Sequence, residues 1–243
     1  MAGRNLILIG VVLCLGFTVG CRSKSELHLS TVNVSASTVY CLFDPSCTVT
    51  TTNTHTASIP MQVGGTAFIE SRTFAGKPGT PAAGLYGYEY RVNLEKAMET
   101  TVDVEEVGKV NYMPCLRSIV FDFGPIVDTL DYNGDKKTGE LIYVVTSGGP
   151  GKIGLGPVER FHGRLTFNFD SPVCVGSSDR QGDSTFFFGL VSAQSPRSVD
   201  ATIMETGGLG SASPKMKKNI KYHVEVPAPQ TGTASASDSP GSL

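Results

Sequence analysis

The stretch LYGYEYRVNL, residues 85–94, decides the fold class. Tyr86, Tyr88 and Tyr90 fall on one side of an extended chain, and Leu85, Gly87, Glu89 and Arg91 on the other. Successive side chains leave opposite faces of a pleated backbone, so period-two alternation marks a strand with one buried face. The same beat returns in SIVFDF (118–123), where Ile119, Phe121 and Phe123 share a side. It returns in RLTFNFD (164–170), which sets Leu165, Phe167 and Phe169 against Thr166 and Asn168. KYHVEV (221–226) sets Tyr222, Val224 and Val226 against Lys221, His223 and Glu225. Residues 66–70, 141–145, 185–193 and 198–204 read as further short strands. One stretch, 94–104, has a helical reading.

Many short strands broken by Gly/Pro turns predict an all-β chain folded as a single β-sandwich, jelly-roll-like. The absence of tryptophan and the 28 glycines agree with a β-rich extracellular domain. The sandwich is expected over 31–226. The stretch after it, PAPQTGTASASDSPGSL (227–243), has almost nothing to bury and reads as a disordered tail.

Residues 1–20 read as a secretory signal peptide: Arg4, then an apolar run over 6–17 too short to span a bilayer, which needs about 20 residues. Gly20-Cys21 resembles the end of a bacterial lipobox, with Thr18 where leucine is usual. The resemblance implies a lipid-modified Cys21, a tether over 21–30, and a membrane partner through the acyl chains. The location would be the bacterial cell envelope, at the outer membrane or cell surface. Ordinary cleavage after Gly20 and free secretion is the alternative.

Cysteine parity favours lipidation. Cys14 leaves with the signal, and a lipidated Cys21 leaves Cys41, Cys47, Cys115 and Cys174, an even number suited to two disulfides. Cys41 and Cys47 bracket LFDPS, whose Asp44-Pro45 step favours a turn. Cys115 and Cys174 would then close a long loop, although four cysteines allow three pairings. The spacings lack the paired C-x2-C knuckles of a zinc site.

Formal net charge is −2, and −3 once Arg4 leaves with the signal, 19 Lys and Arg against 22 Asp and Glu. A nucleic-acid partner would call for a basic surface, so none is expected.

DYNGDKKTGE (131–140) carries the sharpest candidate site. Asp131, Asn133 and Asp135 alternate oxygen ligands, as a Ca²⁺ loop does at its start, and Glu140 is the nearest closing carboxylate. The stretch resembles EF-hand-like and integrin-repeat calcium loops, which imply a structural Ca²⁺ as cofactor. It departs from them at Lys136, where glycine is usual, and at Ile142 in the twelfth position. The competing reading is a polar hairpin turn, since Asn-Gly is itself a hairpin signal.

The stripe Tyr86, Tyr88, Tyr90 offers rings for stacking on sugars, the pattern of a carbohydrate-binding module; the competing reading packs them into the core. Lys215, Lys217, Lys218 and Lys221 read as lysines protecting a strand edge. TSGGPGKIGLGP (146–157) lacks the phosphate-loop frame and reads as a flexible loop. No G-x-S-x-G or H-E-x-x-H occurs, and His28, His55, His162 and His223 are scattered. A secreted hydrolase stays open as an alternative, because a glycosidase needs only two well-placed carboxylates.

CLFDPSC (41–47), PGTPAAGLYGYEYR (78–91), VFDFGPIV (120–127) and STFFFGLVSAQSP (184–196) together resemble a group of uncharacterised exported bacterial β-rich proteins with a lipoprotein-type signal peptide. That resemblance implies a compartment and a β fold. The expected function is a non-enzymatic envelope or surface protein, with an extracellular protein or a glycan as ligand.

Overall fold

The computed structural model describes residues 27–49, 53–105, 107–206 and 220–231. The signal, Cys14, Cys21, Lys215, Lys217, Lys218 and residues 232–243 lie outside that range.

Alternation becomes strands throughout. In chain order these are β1 (Leu27–Leu29), β2 (Thr31–Ser35), β3 (Asn53–Ser58), β4 (Gly64–Ala75) and β5 (Tyr86–Met98). β6 (Thr100–Val104), β7 (Gly108–Tyr112), β8 (Cys115–Asp122), β9 (Ile142–Ser147) and β10 (Leu155–Phe161) follow. β11 (Arg164–Cys174), β12 (Phe188–Ser192), β13 (Pro196–Glu205) and β14 (Lys221–Pro229) are the last among the described residues. One short helix, α1 (Ala36–Cys41), starts where the Ser35 hydroxyl accepts from the Thr38 amide. That bond satisfies one of the helix's free N–H groups.

Two six-stranded sheets form. Sheet A runs β1-β10-β11-β8-β13-β14, and sheet B runs β2-β9-β12-β5-β4-β3. All pairings are antiparallel except β2 with β9. β6 and β7 make a separate ribbon. The sheets face each other across one apolar core, an all-β sandwich. Aromatic rings set the contact: Tyr90 to Phe121 at 4.9 Å, Phe167 to Phe188 at 5.1 Å and Tyr88 to Phe123 at 5.4 Å. Such offset pairs add stability beyond their buried area.

Sheet B is buried on its far side as well. α1 and the loops before β5 and β9 cover it with a second apolar cluster that includes Val39, Phe43, Phe74, Tyr132, Tyr143 and Phe187. This explains why IYVV in β9 and all of β12 are buried without alternation. A strand buried on both faces reads as a continuous apolar run.

Two disulfides close the frame. Cys41–Cys47 ties the end of α1 to its loop, and Cys115–Cys174 joins directly opposed residues of β8 and β11.

The helical reading of 94–104 is corrected. Residues to Met98 extend β5 against β4, and Thr100–Val104 is β6. The β-branched Thr100, Thr101, Val102 and Val104 suit a pleated ribbon better than a helix. β1 lies inside the stretch expected as a tether, and β14 runs past the expected domain end at Val226 to Pro229. The glycine-rich 146–157 stretch is pinned, with Lys152 and Ile153 amides donating to the Ser184 carbonyl.

Candidate functional site

The outer face of sheet A carries an open groove of about 860 Å³. Its floor follows from strand register. Asn168, Ser118, Met204 and Lys221 stand abreast across β11, β8, β13 and β14. Thr166, Val120, Thr202 and His223 form the next row. The inward partners of these positions (Leu165, Phe167, Ile119, Phe121, Ile203, Val224) fill the core, so the floor is rigidly backed.

Arg117 reaches the groove through a break in the ladder. Ser118 pairs with Met204 and Leu116 with Glu205, so Arg117 is an extra residue on β8. A bulge of this kind re-aims a side chain without shifting the flanking core positions. Arg117, Arg164 and Lys221 are exposed and form no ion pair among the described residues. Asp200 is engaged: its Oδ2 lies 2.9 Å from Nδ1 of His223. Phe161 closes one end with 52% of its surface exposed. A second depression of about 440 Å³ adjoins, sharing Arg164 and Asp200 and adding Asp122 and Arg197.

The His223–Asp200 pair orients an imidazole by a carboxylate. Both side chains are about 60% exposed, and among the described residues no hydroxyl or thiol bonds the other ring nitrogen. A nucleophile would need that bond for activation.

Charges also lie buried, between sheet B and its covering loops. Glu89 is fully enclosed; Tyr40 donates to its Oε2 at 3.4 Å and Arg72 Nη1 lies 3.9 Å from the same oxygen. Glu89 Oε1 and the Tyr143 hydroxyl are buried and make no hydrogen bond of good geometry among the described residues, though Tyr143 lies near enough to pull the Glu89 carboxyl down. Burial pushes the Glu89 carboxyl up to about 7, against the opposing pull of Arg72. Burial likewise raises Tyr40 to about 12 and Tyr143 well above its ordinary value. Arg91, also buried, is fully paired: with Glu70 at 3.1 Å, Glu95 at 2.5 Å and the Ser184 hydroxyl at 2.8 Å. Glu205 is a second enclosed carboxylate, accepting from Tyr112 at 2.7 Å and Tyr222 at 2.5 Å. It fastens the β6–β7 ribbon to the end of sheet A.

Of the two readings of the tyrosine stripe, the structure takes the one that packs the rings into the core. Tyr88 and Tyr90 are wholly buried, their hydroxyls donating to the carbonyls of Gln194 and Pro227 at 2.7 and 2.6 Å, and Tyr86 packs partly buried against the same core. No sugar platform exists on that face. Side chains between two packed sheets are excluded from solvent, which alternation alone does not reveal.

In the 131–140 loop the candidate oxygens serve the loop itself. Asp131 Oδ1 accepts from the Gly134 and Asp135 amides at 2.7 and 3.2 Å, and its Oδ2 from Lys136 at 2.7 Å. Asn133 Oδ1 accepts from the Asp135 amide at 2.9 Å. Asp135 is bound by both the amide and the ammonium of Lys137, which hold its carboxyl below the usual range. Glu140 Oε1 lies 3.4 Å from the Asn133 amide nitrogen, and burial raises its pKa. Lys136 takes φ +65, the conformation that glycine would supply in a calcium loop. Ca²⁺ takes six to eight oxygens, and here it would have to displace Lys137 from Asp135. Among the described residues no group of three or more His, Cys, Asp or Glu side chains forms a metal-binding cluster.

No family model matches the chain, and no curated protein or solved structure matches it.

Sequence reading missed the groove and the buried charges. Outward positions such as Thr166 and His223 were legible, but their alignment depends on register. The burial of Glu89 and Arg91 had one signal, the continuous apolar runs in β9 and β12, which need a second covering layer.

Proposed function

We propose that the protein is an exported, lipid-anchored envelope or surface component whose β-sandwich binds an extracellular ligand without catalysing a reaction. The observation that carries the binding role is the groove on sheet A, with three exposed cations, unpaired among the described residues, over a floor backed by the core. A concave surface with a few fixed polar groups is where a ligand is most readily bound. Export is supported by the two disulfides, which persist in oxidising compartments. Anchoring rests on the Gly20-Cys21 junction and cysteine parity.

Two measurements test the proposal. Intact mass of the protein from host membranes should correspond to a chain starting at Cys21 with acyl chains and two disulfides. A Cys21 start without lipid would sink the anchor. Sedimentation of the full chain with purified host envelope polysaccharide should be lost in Val120→Trp, which fills the groove floor from its outward side. Undiminished sedimentation in that variant would sink the groove as the binding site.

A further inference from the structure

We infer that the groove over sheet A takes an acidic polysaccharide, a sugar chain bearing carboxylate or sulfate groups. This rests on the ligand-binding reading above and names the ligand's chemistry. The first support is charge. Arg117, Arg164 and Lys221 line the groove with no ion-pair partner among the described residues, against one acid of the lining, Asp200, which is hydrogen-bonded to His223. The chain as a whole is formally −2, so this local excess is a matter of placement. The adjoining depression adds Arg197, whose Nε is held by the Pro229 carbonyl at 2.9 Å, and Asp122 opposite Arg164.

The second support is spacing. Arg117 lies beside the Ser118 row and Arg164 beside Asp122. Those rows are four residues apart on β8, roughly 13 Å at a rise of about 3.3 Å per residue. Separated cations of that kind meet successive charges on an extended chain. A small anion would call for converging ones.

The third support is the character of the remaining lining. Phe161 presents a half-exposed ring beside Arg164, suited to the C–H face of a sugar. Thr166 offers a hydroxyl, and Asn168 spends its amide nitrogen on the Pro157 carbonyl, which leaves its oxygen as an acceptor. A nucleic acid would call for a domain that is basic overall, and this chain is formally −2.

The test is calorimetric titration of the full chain with polygalacturonate, dextran sulfate and neutral dextran, at low and physiological salt. An acidic polymer should bind, dextran should not, and affinity should fall as salt screens the contacts. Arg117→Ala and Arg164→Ala should each weaken binding about fivefold or more, with melting unchanged because both residues are exposed. Arg180→Ala, at a cation outside the groove that pairs with Asp183, should leave binding unaltered. If neither acidic polymer binds, the inference is overturned. If dextran binds as well as the acidic polymers and Phe161→Ala abolishes this, the groove reading survives and the acidic ligand falls. If acidic binding ignores both arginine substitutions, the inference and the groove reading fall together.

Discussion

Arg72 Nη1 stands 3.9 Å from Glu89 Oε2, and that separation is too long for the guanidinium to offset the burial of the carboxylate. Glu89 is wholly enclosed, one of its oxygens makes no hydrogen bond of good geometry among the described residues, and its pKa rises to about 7 from an ordinary 4.5. Between those values the folded chain keeps a proton that the unfolded chain releases. Stability from this group is therefore full below about pH 4.5, falls through the window, and is lost above about pH 7. The shift corresponds to roughly 3 kcal/mol. Urea unfolding between pH 4.5 and 8 should show that decline, and Glu89→Gln should flatten it. A decline unchanged in Glu89→Gln would show that another group is responsible.

Asp44 acts in a separate window. Lys77, and then the Ser46 amide and hydroxyl, hold its carboxyl down at about 2. Its contribution is present above the ordinary value of 3.8 and disappears as pH falls through about 2. Asp44→Asn should reduce acid sensitivity below pH 4 and leave the Glu89 window intact.

The Cys115–Cys174 bridge spans 59 residues of sequence, and Cys41–Cys47 spans 6. In the chain-entropy account the longer closure is worth about 4 kcal/mol and the shorter about 2 kcal/mol. Cys115→Ser with Cys174→Ser should therefore lower unfolding free energy more than Cys41→Ser with Cys47→Ser. Equal losses in denaturant melts would contradict the ordering.

Tyr112→Phe should leave one oxygen of the enclosed Glu205 without its donor, at about 1–3 kcal/mol. The expected signature is local: faster amide exchange across β6 and β7, with sheet B unaffected. Uniform acceleration over the whole chain would mean that Glu205 braces more than the ribbon.

Ca²⁺ in the 131–140 loop would compete with the Lys137 ammonium at Asp135, so melts with millimolar Ca²⁺ and with EDTA separate the calcium loop from the polar turn, and coincident melts would leave the turn. A rise in Tm with Ca²⁺ would show a cation displacing that ammonium, because a ligand of the native state raises apparent stability.

The fold was readable where one face of a strand meets the core and the other meets water. Residues 164–170 and 221–226 alternate as expected, and their inward side chains fill the sandwich. Residues 94–104 misled because Leu94, Ala97 and Met98 have a helical spacing that the ladder with β4 overrides. The tyrosine stripe showed its alternation but not which side was wet, since that depends on the partner sheet. The groove was least legible: Arg117 belongs to it through one unpaired position on β8, and nothing local in CLRSIV announces a bulge.

That unpaired position also separates two kinds of constraint. Leu116 and Ile119, on either side of Arg117 and Ser118, are fully buried, so their sizes are fixed by packing. Arg117 meets water and no core neighbour, and its identity is free of that restriction. Deleting it would restore a regular ladder between β8 and β13 and erase one cation from the rim. Related chains could thus gain, lose or recharge this residue while keeping the same core, so ligand preference could drift over evolutionary time with little penalty in folding.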